Sequence, residues 1–226
     1  MRVAAYGIDA DRVGEGEPLA RRLRRRWEGR YSLDPFGADP MAQDLAALAD
    51  RLVRIEVEGG EVIPQIGPVA LVCNSRPGSG DALAVRAAVR AARRRRARIV
   101  GYPDLPVVGA LARRAGRVRP RGEDLGALMR AGHVAVVPLG VALGGRAGPA
   151  SAAVLWGALG FPVVPVAVTG GAIPVAGVPI GRHRVIVGRP LDLDVVPSDP
   201  LSAAEVAESV RAGVQSLLDD AAATPR

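Results

Sequence analysis

The residues with the most chemical potential sit in one short stretch. Asn74-Ser75-Arg76-Pro77-Gly78-Ser79-Gly80-Asp81 follows an apolar run, Val69–Cys73, and precedes an Ala/Val/Arg segment with helical character. A polar loop that leaves a strand and enters a helix offers backbone N–H groups to an anion, and the helix N-terminus adds its positive dipole end. Ser75, Ser79 and Arg76 add donors to that cradle, and Asp81 is placed to be the N-cap. The loop lacks the Gly-Lys-Ser/Thr ending of a Walker loop, and the chain has no Gly-x-Ser-x-Gly nucleophile elbow. A second loop, Leu139–Gly148, is glycine-rich and carries Arg146. The two histidines, His133 and His183, lie in neither loop, so either would have to be folded in to act as a base.

The wider composition narrows the partners. All 30 basic side chains are arginine, which fits the codon bias of a GC-rich sequence also heavy in Ala, Gly, Val and Pro. The physical consequence stands whatever its origin: a guanidinium is always charged and grips phosphate bidentately. Residues 1–130 hold 24 Arg against 16 acids, a balance of +8, and residues 131–226 hold 6 against 7, a balance of −1. An anionic partner is therefore expected at the first half. A single cysteine, Cys73, excludes a disulfide framework, and two histidines argue against a metal centre, so neither metal nor cofactor is expected. The segment Arg86–Arg98, with seven Arg and no acid, suggests a nucleic-acid binder as an alternative. Against it stand 3% aromatic content and the lack of any recognised nucleic-acid motif.

These residues need a scaffold, and the pattern supplies one. Residues 1–38 read as a basic, loosely structured arm. It contains ARRLRRRWEGR with Trp27, either a solvated helix or a contact for anionic lipid. Residues 39–226 read as a single α/β domain. Helices are expected at Asp39–Leu52, from Asp81 through the arginine run, and at Leu105–Ala115, Glu123–Arg130, Ala150–Leu159 and Pro200–Asp220. Strands are expected at Arg54–Gly59, Val69–Cys73, Arg98–Tyr102, the HVAVVP run, Val163–Val168 and Val185–Val187. Strands without polar alternation are covered on both faces, so the fold class is α/β, a mixed, largely parallel sheet covered by helices. Ligands in such sheets bind at loops leaving the carboxyl ends of strands, which selects the two loops above. Ala147–Gly181 is uncharged, but Gly160, Pro162 and Pro165 interrupt it, so it reads as helix, turn and buried strand rather than a membrane span. No signal peptide or lipidation motif is visible at the N-terminus, which makes the cytoplasm the expected compartment, with peripheral contact at the inner face of the membrane.

The order of segments carries a resemblance. RIEVEGGEVIPQIGPVALVCNS, a helix, a basic connector, EDLGALMRAGHVAVVPLG, GALGFPVVPVAVTGG and RHRVIVGRPLDL together resemble the glycerolipid acyltransferase superfamily, similar to 1-acylglycerol-3-phosphate acyltransferase, over roughly Leu52–Leu193. The resemblance implies a glycerolipid acyltransferase-like fold. It also implies acyl transfer from acyl-CoA or acyl carrier protein to a lysophospholipid, beside an anionic membrane surface.

In that family a His, separated by four residues from an Asp, takes the proton of the acceptor hydroxyl, and the Asp orients the imidazole. Here Asn74 matches the residue before that His, Ser75 stands at the His position, and Asp81 follows after five residues instead of four. The family's Phe-Pro-Glu-Gly-Thr-Arg block is matched by Val137-Pro138-Leu139-Gly140-Val141-Ala142, so Leu139 replaces the acid and Ala142 the phosphate-holding Arg. Arg146 is the substitute nearby, and Arg121, with Arg119 beside it, fits the family's other phosphate-binding Arg. Asp81 and Ser75 are thus the candidate catalytic residues, and Asn74, Arg76, Arg121, Leu139, Gly140 and Arg146 the candidate substrate contacts. The two departures point to a degenerate site that retains lipid or acyl-thioester binding. An active enzyme with rearranged chemistry is the alternative.

Overall fold

The structure, a computed structural model, describes residues 24, 33–50, 54–75, 80–101, 106–139, 153–170, 173–175, 178–180, 182–192 and 200–223. Its centre is strand β2, Val69–Cys73, five apolar residues that are all buried. Val69, Leu71 and Cys73 face one apolar layer and Ala70 and Val72 the other. Complete burial of a Val or Leu side chain contributes about 1.5–3 kcal/mol, so a strand covered on both sides is a strong anchor for its neighbours.

Around it lie β1 (Arg54–Glu58), β3 (Ala97–Ile99), β4 (Val134–Pro138), β5 (Val163–Thr169) and β8 (Arg182–Val187), in the order β1-β8-β5-β2-β4-β3. Every pairing in this sheet is parallel except β5 with β8. The sheet is therefore mixed and largely parallel, as the unalternated strands predict. β1 and β8 run against the other four, which brings the start of β8 to the carboxyl edge of β2, β4 and β5. Two further strands, β6 (Ile173–Val175) and β7 (Val178–Ile180), form a separate antiparallel pair.

Five helices are described: α1 (Pro40–Asp50), α2 (Asp81–Arg93), α3 (Pro106–Arg114), α4 (Gly122–Arg130) and α5 (Pro200–Ala223). Helix α2 covers the first face of the sheet with Ala82, Ala84, Val85, Ala88 and Val89. The second face is covered by α4, a 3₁₀ turn at Trp156–Ala158, and α5 through Val206, Val210 and Val214. The chain thus leaves β2 toward one face and travels from β4 toward the other. In doubly covered sheets, a crevice opens at the carboxyl edge where neighbouring strands exit in opposite directions.

Several expectations change in detail. Asp81 is the first helical residue rather than the cap; Gly80 is the cap, with φ −68° and ψ −19°, and no side chain closes the first turn. Gly80 already has helical geometry, so the helix starts before Asp81 can bridge back, and the carboxylate still favours the N-terminal dipole. The late strand is longer than Val185–Val187, because Arg182 and Arg184 alternate with the buried His183 and Val185 and conceal the period of two. The β6–β7 pair lies within the stretch read only as uncharged. In the basic connector, Val118 bridges to Val100 alongside β3.

One contact fixes α4 against the 3₁₀ turn. A Cβ at Gly157 would lie 1.9 Å from the Gly122 carbonyl oxygen and 2.7 Å from the Gly126 nitrogen. Backbone meets backbone there, so no side chain can be accommodated without moving the helix. Gly157→Ala is expected to cost about 3 kcal/mol, the upper part of the usual overpacking range. A urea unfolding midpoint equal to that of the parent chain would refute this packing.

Candidate functional site

The carboxyl edge between β2 and β4 gathers Cys73, Asn74, Ser75, Asp81 and Leu139. Their roles differ from one another. The Asn74 amide reaches across to β5: its Nδ2 donates to the Val168 carbonyl at 3.0 Å, and its Oδ1 accepts from the Val168 N–H at 2.8 Å. The pairing of β2 with β5 reaches Cys73 opposite Val166. The side chain therefore continues the ladder past the last backbone pair. Both of its polar ends are occupied, so Asn74 holds the loop rather than a ligand. Leu139 has a similar part on the other side. Its N–H donates to the Cys73 carbonyl at 3.1 Å, and its side chain is buried in the layer under α4 and α5. The edge at this position is thus lined by a buried apolar side chain.

Ser75 is 1% exposed. Its N–H and its hydroxyl both hydrogen-bond to the Cys73 sulfur. Burial pushes the Cys73 thiol up to about 12, Asp81's negative charge adds to this, and the two Ser75 contacts oppose it. The thiol is thus protonated near neutral pH and is no nucleophile. Asp81 is the first residue of α2, and its charge is felt at the Cys73 thiol. Sequence reasoning used Cys73 only as a count. Its position, last in an all-buried strand and two residues before Ser75, was the signal that it belongs to this cluster.

Neither histidine completes the cluster. His133 precedes β4 at the opposite edge of the sheet, about 17 Å away by strand rise. There its ring meets Phe36 edge-on, with centroids 5.4 Å apart and planes at 80°. His183 does lie at the carboxyl edge, on the α2 face with Val185 and Val187, but two strands from β2, about 10 Å sideways. It is 1% exposed, and neither ring nitrogen has a hydrogen-bond partner. So no imidazole contacts Ser75 or Asp81.

Of the expected phosphate contacts, Arg121 is exposed at the start of α4, in extended geometry with φ −124° and ψ 140°. Arg76, Gly140 and Arg146 lie outside the described residues. Much of the arginine run is turned inward. Arg86 pairs with Asp50, Arg93 donates to the Ile63 and Glu61 carbonyls, Arg95 to those of Pro64 and Gly132, and Arg98 pairs with Asp34. Side chains so engaged do not form the continuous basic face that a nucleic-acid backbone requires. Among the described residues no group of His, Cys, Asp and Glu is arranged to hold a metal, and no helix is long and apolar enough to cross a membrane.

No protein-family profile matches the chain. The uncharacterized proteins Rv0502 of Mycobacterium tuberculosis and Mb0514 of Mycobacterium bovis are each 32% identical to it over 127 residues, 51% of this chain. The match spans about a third of those proteins, 36% of their length. Among solved structures, the chain is similar to the 1-acyl-sn-glycerophosphate (LPA) acyltransferase PlsC from Thermotoga maritima, with TM-score 0.49 and 19% identity. That likeness covers 87% of this chain and 83% of the other.

Two outcomes follow from this geometry. Asn74→Ala strands the Val168 N–H and carbonyl, at about 1–3 kcal/mol for each unsatisfied group, and should lower the urea midpoint accordingly. Native protein at pH 8 should resist iodoacetamide at Cys73 and become alkylated on unfolding; rapid native labelling, followed by mass spectrometry, would show an accessible thiolate instead.

Proposed function

We propose that this chain is a glycerolipid acyltransferase-type protein that binds an acyl thioester and a lysophospholipid at the β2/β4 edge, with acyl transfer strongly attenuated. One observation carries the attenuation: at the position of the family's base stands Ser75, buried, with its hydroxyl and N–H engaged on a protonated thiol. A neutral serine hydroxyl is too weak a base to take the acceptor's proton near neutral pH, and loss of a general base removes about 10²–10⁴-fold of rate. What supports binding is the topology: β2 and β4 lead to helices on opposite faces of the sheet, and the N-terminus of α2 follows β2 at the carboxyl edge. The acceptor's phosphate would meet Arg121, with Arg76, Gly140 and Arg146 completing the two loops. The acyl donor is acyl-CoA or acyl carrier protein, and the basic first half faces an anionic membrane surface.

A second reading rests on His183, which sits at the same edge and on the same face as α2, with both ring nitrogens unpartnered. In an active, rearranged enzyme this imidazole would serve as the base. Purified protein given acyl-CoA and lysophosphatidate separates the two. The attenuated reading expects calorimetric binding of acyl-CoA with turnover at or near background, and Asp81→Ala leaving that rate unchanged. Turnover abolished by Asp81→Ala or by His183→Leu would overturn it in favour of the rearranged enzyme. His183→Leu should itself stabilise the fold, because it removes two unsatisfied buried nitrogens whose burial costs about 1–3 kcal/mol each.

A further inference from the structure

A cleft runs along α4, lined by residues other than those of the Cys73 cluster. Gly122, Gly126 and Gly157, where α4 meets the 3₁₀ turn, give it bare backbone, and Trp156, Leu159 and Phe161 give it an apolar wall. Glu123 and Arg130 complete the lining. They stand seven residues apart, two turns or about 10 Å along the same side of the helix. The cleft encloses about 320 Å³. That volume is at the lower end of small-molecule sites and is roomier than a lone ion requires.

Three observations define what fits there. Trp156 is 40% exposed although its Cβ packs against Gly122, so part of the indole is left as an uncovered stacking surface. Arg130 lies back over the helix: its Nη1 is 3.2 Å from the point where a Cβ on Gly126 would stand, four residues or about 6 Å along α4. The guanidinium occupies that seat because Gly126 has no side chain. Among the described residues, neither the Arg130 nor the Glu123 side chain has a hydrogen-bond or ion-pair partner. A guanidinium and a carboxylate therefore both stand open beside an aromatic wall.

We propose that this cleft binds a nucleotide. Arg130 holds the phosphate with its charged fork, Trp156 stacks on the base, and Glu123 accepts hydrogen bonds from ribose hydroxyls or an exocyclic amine. Inorganic phosphate leaves the indole and the carboxylate unused, and an aliphatic chain leaves both charges unused. A base with its phosphate uses all three. The same chemistry is offered by a free nucleotide and by the nucleotide end of coenzyme A. The site is independent of the acyl-transfer reading, because Glu123, Arg130 and Trp156 have no part in it.

The test uses the whole chain with ADP as the probe. Trp27→Phe leaves Trp156 as the sole tryptophan. In that background ADP should quench the Trp156 fluorescence saturably, and calorimetry should give a Kd below about 1 mM. Arg130→Gln, shown by circular dichroism to be folded, should weaken ADP about tenfold or more. Trp156→Leu, followed by calorimetry, should weaken it to a similar degree. Arg54→Gln removes an equal charge from β1, at the far margin of the sheet, and should bind ADP as the parent chain does. In a second arm coenzyme A is added to the ADP complex. Displacement of ADP assigns the site to the nucleotide end of the coenzyme, and failure to displace it assigns the site to a free nucleotide. The proposal is overturned by the lack of a saturable ADP response, by equal affinity in Arg130→Gln and the parent, or by adenosine binding as tightly as ADP. ADP carries no acyl group, so each of these results stands whether or not the chain transfers one.

Discussion

At the carboxyl edge, a side-chain amide does the work of a peptide group. Asn74 joins β2 to β5 across 94 positions of sequence, giving and receiving one hydrogen bond at Val168. Without it, the loop after Cys73 would leave the sheet one residue earlier, and the edge of β5 would carry an unmet donor and acceptor in a buried setting. The position of Ser75, the next residue, follows from this pair of bonds. On the other side of β2, the Leu139 N–H does the equivalent service at the Cys73 carbonyl. The central strand is thus extended on both sides just where the chain leaves it.

The legible part of the fold was the part with a pure signal. Val69–Cys73 and Val163–Val168 announce themselves as buried strands because no polar residue interrupts them, and α5 follows from its apolar stripe of Leu201, Val206, Val210, Val214, Leu217 and Leu218. The start of β8 was not legible, since Arg182 and Arg184 read as charge and only their neighbours are buried. The β6–β7 pair lay hidden in an uncharged segment whose prolines suggested breaks rather than strands. At the candidate site, sequence singled out the stretch that follows β2. It could not reveal that Asn74 would be consumed by β5, or that Ser75 would turn onto Cys73. The first depends on a contact across the sheet and the second on how the backbone turns after Cys73, and residue type alone specifies neither.

Arginine behaves here in two ways. On the first face it acts as an internal strut: Arg86 ties α2 to α1, and Arg93 and Arg95 tie the end of α2 and the chain after it to the turn before β2. Such ties need long, forked donors, which an all-arginine chain supplies in number. The Asp34 partner of Arg98 shows the electrostatic side. Burial alone would push this carboxyl up, but the Arg98 hydrogen bond and charge, with the Phe36 and Ala38 N–H groups, hold it below the usual carboxylate range. Its stabilising contribution is present above the unfolded carboxylate pKa and is lost as pH falls through the lower folded value.

The order β1-β8-β5-β2-β4-β3 also decides what the sheet exposes at its margins. One margin is β3, only three residues long. The other is β1, whose Arg54, Glu56 and Glu58 put a charge at every second position, with Glu58 held by Arg184 of β8. A short strand and a charged strand are poor templates for a foreign strand to pair with. The aliphatic strands, which would aggregate most readily if left bare, are confined to the middle. A chain that is 49% hydrophobic thereby presents margins that resist edge-to-edge association.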